Sequence, residues 1–316
     1  MKKILIKIAV IFLIVLIFDR LFSFVFTKYT FEKIINGESG GSLNYLLQKK
    51  KNADYIILGS SRAKHQVDPE KLTAINGVGY NAGINGVGTI LHSNIVLDIM
   101  LQENFKPKII LLQIDAINFA DEYFESYLYG LNSLYPFYKK SPLLQSSVKE
   151  LPFEERLKLN FEMYKFNGKI TNLLLNYFKQ KSVADENGFY PLNQTMDSVN
   201  QQDLPFAKFN FSAKKLQVLN NIITSCKQKN IQLVIILPPY YKNINYREDE
   251  TLFLKNYIKN ISGKVIIIDM GNVANLPEIQ SAQNWKDIGH LNNIGAAKFS
   301  SYLNDSFKKL LPLILE

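Results

Sequence analysis

Two short segments at opposite ends of the chain carry residue types that can perform nucleophilic catalysis. Ser61 lies in the segment Gly59-Ser60-Ser61, and Asp287 precedes His290 by three residues. A histidine that accepts the proton of a serine hydroxyl, while a carboxylate holds its second ring nitrogen, turns that serine into a nucleophile. The residue types and their spacing therefore favour a Ser-His-Asp triad of Ser61, His290 and Asp287.

Each segment also has a plainer interpretation. Gly-Ser-Ser is common in loops, and such a serine often caps a helix. An Asp-x-x-His pair can lie on the surface or bind a metal ion. The 316 residues contain three histidines and one cysteine, and neither a second histidine nor a cysteine accompanies His290. A metal site is therefore disfavoured, and the sequence indicates no cofactor.

Apolar runs alternate with helical stretches in the part of the chain that carries these residues. Short runs of the kind found in strands covered on both faces occur at 55–58, 79–81, 108–114, 231–237 and 265–268. Longer helical patterns occur at 88–104, 212–229 and 293–311. Strands separated by helices indicate right-handed crossovers and a mainly parallel sheet. The predicted fold class is α/β, a three-layer sandwich.

These elements place the candidate triad at one edge of the sheet. Ligands of such sheets bind beyond the carboxyl ends of the strands. Ser61 follows the first strand directly, and Asp287 and His290 stand just ahead of the last helix. Gly59 permits a tight turn, which can expose the Ser61 hydroxyl and direct its backbone N–H into an oxyanion site.

The combination resembles the SGNH (GDSL-like) hydrolase superfamily, in particular its membrane-anchored bacterial members that acylate or deacylate cell-surface polymers. Gly59-Ser60-Ser61 is similar to the family's first block, Gly-Asp-Ser, with Ser60 in the place of the aspartate. The stretch 80–86, Tyr-Asn-Ala-Gly-Ile-Asn-Gly, is similar to the second block, and Asp287 with His290 matches the fifth.

The resemblance covers about residues 52–118 and 208–310, and it implies a flavodoxin-like fold with Ser61 as nucleophile. It also implies an oxyanion hole in which Gly86 is a donor. The third block of the family, Gly-x-Asn-Asp, is not matched after the third strand. Asn118 stands one position late and is the candidate for the remaining oxyanion donor.

The amino terminus predicts a single membrane span. Residues 4–26 are apolar except for Lys7, Asp19 and Arg20, and a span needs about 20 such residues. We expect Asp19 and Arg20 to lie near the far interface or to pair with each other. No small-residue cleavage site follows, so a retained anchor is favoured over a signal peptide. The alternative is a buried helix of a soluble protein. The basic amino-terminal flank predicts that the rest of the chain faces outward.

These patterns divide the chain into an anchor at 1–28, a linker at 29–51 and an α/β domain at 52–316. Residues 119–205 interrupt the alternation and are predicted to be an insertion. Its aromatic residues form either a sugar-binding lip or, as the favoured interpretation, the core of a cap or a partner contact. They include Tyr123, Phe124, Tyr127, Tyr129, Tyr135, Phe137 and Tyr138.

Four other residues have mainly structural interpretations. Cys226 lies on the apolar face of a predicted helix, so a buried thiol is expected. His65 and His92 have no acidic partner at helical spacing and are predicted to be surface or packing residues. Arg62 either pairs with an acid in a loop, which is favoured, or binds an anionic group of the substrate.

The net charge of +9 does not indicate nucleic acid, because the basic residues are scattered and no aromatic-basic stripe accompanies them. It favours contact with anionic lipid or acidic cell-wall polymers. With the resemblance, the sequence predicts an extracytoplasmic, membrane-anchored serine esterase or O-acyltransferase. Its expected substrate is an O-acylated, chiefly O-acetylated, envelope polysaccharide, and a membrane-bound acyl-donor protein is a candidate partner. The alternative is a noncatalytic scaffold that binds the polysaccharide or that partner.

Overall fold

Five parallel strands form one sheet within the residues that the structure, a computed structural model, describes. The described ranges are 1–37, 39–86, 89–121, 130–179, 186–196, 209–244 and 246–314. The strands are β1 (Tyr55–Leu58), β2 (Gly79–Asn81), β3 (Ile109–Gln113), β4 (Gln232–Leu237) and β5 (Ile266–Asp269). Their order in the sheet is β2-β1-β3-β4-β5, and all neighbours are parallel. The predicted α/β class and parallel sheet are confirmed.

Helices connect the strands. They are α1 (Lys2–Tyr29), α2 (Gly41–Lys49), α3 (Ser61–Gln66), α4 (Thr89–Gln102), α5 (Pro142–Val148), α6 (Phe153–Lys158), α7 (Ile170–Phe178), α8 (Ala213–Gln228), α9 (Glu248–Ile261) and α10 (Asn293–Ile314). The predicted strands agree with the observed ones to within one residue at each end. Helix α3 was not predicted.

The strands are apolar on both sides because both sides are covered. Ile56 and Leu58 of β1 lie in one hydrophobic cluster, which also contains side chains of α4, α8 and α9. Tyr55 and Ile57 lie in a second cluster with Ala63 of α3 and with side chains of α10. Successive side chains of a strand point to opposite faces, so each β1 residue contributes to one cluster or the other.

Residues 29–51, which were predicted to be a linker, pack into the domain. Phe31, Ile34 and Leu46 are buried in the cluster that holds Ile56. The side chain of Asn44 donates hydrogen bonds to the carbonyls of Phe31 and Ile34, at 2.8 and 3.1 Å. The Gly- and Ser-rich stretch at 37–42 lies within this segment, between the buried Ile34 and the buried Leu46 of helix α2.

The insertion packs along the carboxyl-terminal third of α1. Asp19 accepts hydrogen bonds from the backbone N–H groups of Glu162 and Met163, at 2.7 and 3.0 Å. Asp19 also pairs with Arg20 at 2.8 Å, as the sequence predicts. The rings of Phe26 and Phe166 lie 4.8 Å apart in an edge arrangement. Helix α1 is long and apolar enough to cross a membrane.

The described aromatic residues of the insertion support the structural interpretation. Tyr135 and Phe137 are buried in the hydrophobic cluster that contains Ile56. Tyr138 is partly buried and packs against the same cluster. Tyr135 and Phe137 are therefore core residues, and the role of the insertion as a cap or a partner contact stays a prediction. The other four aromatics of that prediction, Tyr123, Phe124, Tyr127 and Tyr129, lie outside the described residues.

Candidate active site

The turn from β1 into α3 exposes Ser61 at the carboxyl end of the sheet. Gly59 has φ +146°, and a Cβ atom there would lie 2.8 Å from the backbone oxygen of Gln113. Only glycine avoids that clash in this backbone conformation. Ser60 caps α3, because its hydroxyl accepts a hydrogen bond from the N–H of Arg62 at 3.1 Å. Ser61 is consequently the first helical residue, and it is half-buried.

Three residues from two distant segments of the sequence form a continuous series of hydrogen bonds. Ser61 Oγ lies 2.8 Å from Nε2 of His290. His290 Nδ1 lies 2.9 Å from Oδ1 and 3.1 Å from Oδ2 of Asp287. With Nδ1 donating to the carboxylate, Nε2 is free to accept the serine proton. The structure thus brings together the three residues that the sequence predicts to form a triad.

The turn that carries Asp287 and His290 holds the carboxylate in place. Oδ1 of Asp287 accepts hydrogen bonds from the N–H groups of Gly289 and His290, at 2.9 and 2.8 Å. Partial burial by itself raises the pKa of Asp287. The hydrogen bond from the His290 ring, its charge and the two N–H groups outweigh burial, and they hold the pKa of the carboxyl below its ordinary value. Asp287 is therefore ionised at neutral pH.

The helix that carries Ser61 also binds the turn that carries His290. Nε of the buried Arg62 donates to the Gly289 carbonyl at 2.9 Å, and Nε2 of Gln66 donates to the same oxygen at 2.8 Å. Arg62 also forms an ion pair with Asp115, and both side chains are 6% exposed. The prediction that Arg62 pairs with an acid is confirmed. The residue after the nucleophile, Arg62, thus binds the residue before the base, Gly289. This contact fixes the position of His290 relative to Ser61.

A buried polar network behind the triad was not predicted from the sequence. Gln113 Oε1 accepts hydrogen bonds from the N–H and hydroxyl of Ser60, at 3.1 and 2.7 Å. Its Nε2 donates to Asp115 at 2.7 Å. The Arg62 guanidinium lies 3.9 Å from the centre of the Tyr240 ring. The one signal in the sequence is a glutamine near the end of an otherwise apolar strand.

The two predicted oxyanion residues differ in their surroundings. Gly86 has φ +107° and is exposed, with open space where a side chain would stand. Oδ1 of Asn118 accepts a hydrogen bond from the N–H of Asp115 at 2.8 Å. None of the described hydrogen bonds joins Asn118 or Gly86 to Ser61 or His290. Their oxyanion roles stay predictions, and the N–H of Ser61 at the start of α3 is a third candidate donor.

His65 joins α3 to the segment that contains Asn85 and Gly86. Its Nδ1 lies 2.5 Å from the Tyr190 carbonyl, and its Nε2 lies 2.8 Å from the side-chain amide of Asn85. The ring centre is 6.3 Å from that of His290. His65 is buried, so it is a packing residue, which is one of the two roles that the sequence predicts.

Protonation of His65 opposes folding, and this gives a prediction. Burial is the main cause that lowers the pKa of His65, against the opposing effect of its two hydrogen bonds. Below pH 6.5 the unfolded chain binds a proton that the folded chain resists, so stability falls as the pH falls through the lowered pKa. Thermal unfolding at pH 7.5 and 5.5 should show a smaller acid-induced loss for His65→Gln than for the wild type. Equal losses would contradict this account.

Cys226 and His92 are also buried. Burial raises the pKa of the Cys226 thiol to about 12, so the thiolate that reacts with electrophiles is essentially absent at neutral pH. The predicted structural role of Cys226 is confirmed. An open depression of about 500 Å³ beside it, lined also by Lys108, Lys227 and Lys264, lies at the amino ends of the strands, on the far side from Ser61.

Within the described residues, no group of three or more His, Cys, Asp or Glu side chains is arranged as a metal site requires. No protein family matches the chain, and no curated protein matches it in sequence. What the site does therefore has to be inferred from its geometry and chemistry.

Proposed function

We propose that the protein is a membrane-anchored serine esterase or O-acyltransferase with an SGNH-type, three-layer fold. The hydrogen-bonded chain from Ser61 through His290 to Asp287 is the observation that supports this most. The strand order β2-β1-β3-β4-β5 is that of flavodoxin-like folds, in which ligands bind at the carboxyl ends beside the first and third strands. Ser61 lies at that place.

In the proposed reaction, Ser61 Oγ attacks the carbonyl carbon of an ester while His290 Nε2 takes the hydroxyl proton. Asp287 stabilises the imidazolium that forms. The N–H groups of Ser61 and Gly86, with Asn118 as the third candidate, bind the oxyanion of the tetrahedral intermediate. The intermediate collapses to an acyl-serine, and the leaving alcohol receives the proton from His290. Water or a second hydroxyl, deprotonated by His290, then releases the acyl group and restores Ser61.

The proposed substrate is an O-acylated, chiefly O-acetylated, polysaccharide or cell-wall polymer. A half-exposed nucleophile at an open sheet edge suits an ester on a large polymer. Helix α1 is the proposed anchor, and the basic residues Lys2 and Lys3 at its start favour a domain outside the cytoplasm. A membrane-bound acyl donor is the proposed partner if the acyl group is transferred and not hydrolysed.

A fluorophosphonate probe tests the proposal directly, because it labels serines that an adjacent base activates. We expect the detergent-solubilised full chain to be labelled and to hydrolyse a chromogenic acetate ester, whereas Ser61→Ala does neither. Ser60→Ala is the matched control. It removes the neighbouring hydroxyl and a helix cap worth about 1 kcal/mol, but it leaves the nucleophile.

If the wild type and Ser60→Ala are labelled and Ser61→Ala is not, the reactive serine is Ser61. If the wild type is neither labelled nor active, a serine-enzyme function is excluded, and a noncatalytic scaffold becomes the better proposal. Labelling that survives Ser61→Ala would place the nucleophile elsewhere.

A further inference from the structure

Two helices of the insertion expose large apolar side chains to solvent. On α6, Phe153 and Leu157 are 63% and 53% exposed, and on α7, Leu175 and Phe178 are 65% and 79% exposed. Single exposed apolar residues are ordinary on protein surfaces, but several on two successive helices of one segment indicate an interaction surface. Leu173 is the buried residue of α7, so the helix packs by one side and presents apolar residues on others.

The position of this surface along α1 indicates its partner. The segment between α6 and α7 contacts α1 at three places. Asp19 accepts a hydrogen bond from the N–H of Glu162, and the Arg20 guanidinium donates to the Asn160 carbonyl at 2.7 Å. The rings of Phe26 and Phe166 pack edge to face. The insertion therefore lies beside residues 19–26 of α1. The depth of residues 19–26 in a bilayer therefore determines the depth of the insertion.

The length of α1 indicates how deep residues 19–26 lie in a bilayer. The uncharged apolar stretch from 8 to 18 together with Ile4–Ile6 spans only about 22 Å at a rise of 1.5 Å per residue, and a bilayer core is about 30 Å thick. Leu21, Phe22, Phe24 and Val25 are each at least 50% exposed, and together they extend the apolar surface to the required length. The bilayer must then reach the turns of α1 against which the insertion packs.

Basic side chains accompany the apolar ones. Arg156 on α6 and Lys179 after α7 are exposed, and the Arg156 guanidinium lies 5.8 Å from the centre of the Phe153 ring. Lys158 is also exposed, but it pairs with Glu155 of the same helix at 2.6 Å. Long basic side chains can place their aliphatic stems beside acyl chains and their charges among phosphates. The combination of exposed aromatic, leucine and basic residues is that of helices that lie in a membrane interface.

We propose that α6 and α7 dock on the bilayer, with Phe153, Leu157, Leu175 and Phe178 inserted among the headgroups and upper acyl chains of the leaflet from which α1 emerges. The inference rests on the proposed membrane anchor and is independent of the triad. Attached at both α1 and the docked insertion, the domain cannot swivel about the anchor. The opening at Ser61 is then held at a fixed height and orientation above the lipid.

Single cysteines carrying an environment-sensitive fluorophore test this docking in the full chain. Leu175→Cys and Phe178→Cys report on the proposed surface. Leu252→Cys on α9 and Ile294→Cys on α10 are matched controls, because these native side chains are 53% and 52% exposed. Phe12→Cys reports on the anchor itself. The buried Cys226 should remain unlabelled in every folded variant, so its protection from the reagent verifies the fold.

The labelled proteins are reconstituted in phosphatidylcholine–phosphatidylglycerol vesicles, with and without nitroxide near the top of the acyl chains. We expect probes at 175 and 178 to emit at shorter wavelength than the controls and to lose most of their fluorescence to the nitroxide lipid. Probes at 252 and 294 should not be quenched.

If the probe at 12 is quenched and those at 175 and 178 behave like the controls, docking is refuted and the anchor stands. Probes at 175 and 178 that are shielded from water but not quenched by lipid would show a protein partner on this face, which also refutes the proposal. An unquenched probe at 12 would refute the anchor and the docking with it, while fluorophosphonate labelling of Ser61 would be unaffected.

Discussion

Replacing His290 with alanine is expected to lower kcat for hydrolysis of an acetate ester by about six orders of magnitude, as much as Ser61→Ala does. The imidazole is the base that lies 2.8 Å from Ser61 Oγ, and alanine removes it. Asp287→Asn should cost less, about four orders of magnitude. The serine and the base remain in that variant, but the amide cannot stabilise the imidazolium.

The double variant Ser61→Ala/His290→Ala distinguishes a triad from two independent residues. Residues that act as a unit are lost together, so the double variant should be no slower than either single variant. Single-turnover kinetics with the same ester measure each rate, and the protection of Cys226 from thiol reagents verifies that each variant is folded. A double variant that is slower by the product of the two single effects would contradict the shared mechanism.

Four of the five strands, all except the Gly-Tyr-Asn of β2, could be predicted because each is a short apolar run followed or ended by Gly, Pro or Asp. Burial on both faces leaves no room for polar alternation, which makes such runs conspicuous. The pair Asp287 and His290 was equally visible, because three residues of spacing place both side chains on one turn. These strands and the Asp287–His290 pair each depend on a few consecutive residues, so a sequence pattern is enough to predict them.

Helix α3 could not be predicted, because Ser-Arg-Ala-Lys-His-Gln has no apolar periodicity. Its polar residues are buried, and their partners come from distant segments. Gln66 donates to Gly289, more than 200 residues away in the sequence, and His65 bonds to the carbonyl of Tyr190. Tertiary contacts therefore stabilise a helix that the sequence alone does not indicate.

The buried network shows the same limit at the candidate site. Gln113 and Tyr240 become meaningful only when β3 and β4 are neighbours in the sheet, which places both residues beside Arg62. Asn118 was singled out by comparison with a family block. In the structure its side-chain oxygen caps the backbone N–H of Asp115, a local role that its type and position also fit.

Arg62→Met is expected to lower kcat by about 100-fold and to destabilise the fold by about 3–5 kcal/mol. The loss of stability has a direct cause, because Asp115 remains buried without its cation. The loss of rate has a different one. Arg62 donates to the carbonyl of Gly289, the residue before His290, and a shift of that turn by about 1 Å would misplace the base relative to Ser61.

Arg62→Lys provides a graded comparison. A lysine keeps the charge beside Asp115, but a single ammonium group cannot reproduce the fork that binds Asp115, Gly289 and Pro239 at once. It should retain more stability than Arg62→Met while its kcat stays low, with little change in KM for a small ester.

Adding Asp115→Asn to Arg62→Met separates the two effects. The second substitution removes the unpaired buried charge, so thermal unfolding of the double variant should move back towards the wild type. The bond to Gly289 is still missing, so kcat should stay near that of Arg62→Met. If kcat recovered together with stability, Arg62 would serve the fold alone. If only stability recovers, Arg62 positions the histidine, and the helix that carries the nucleophile also sets the base at the distance the reaction needs.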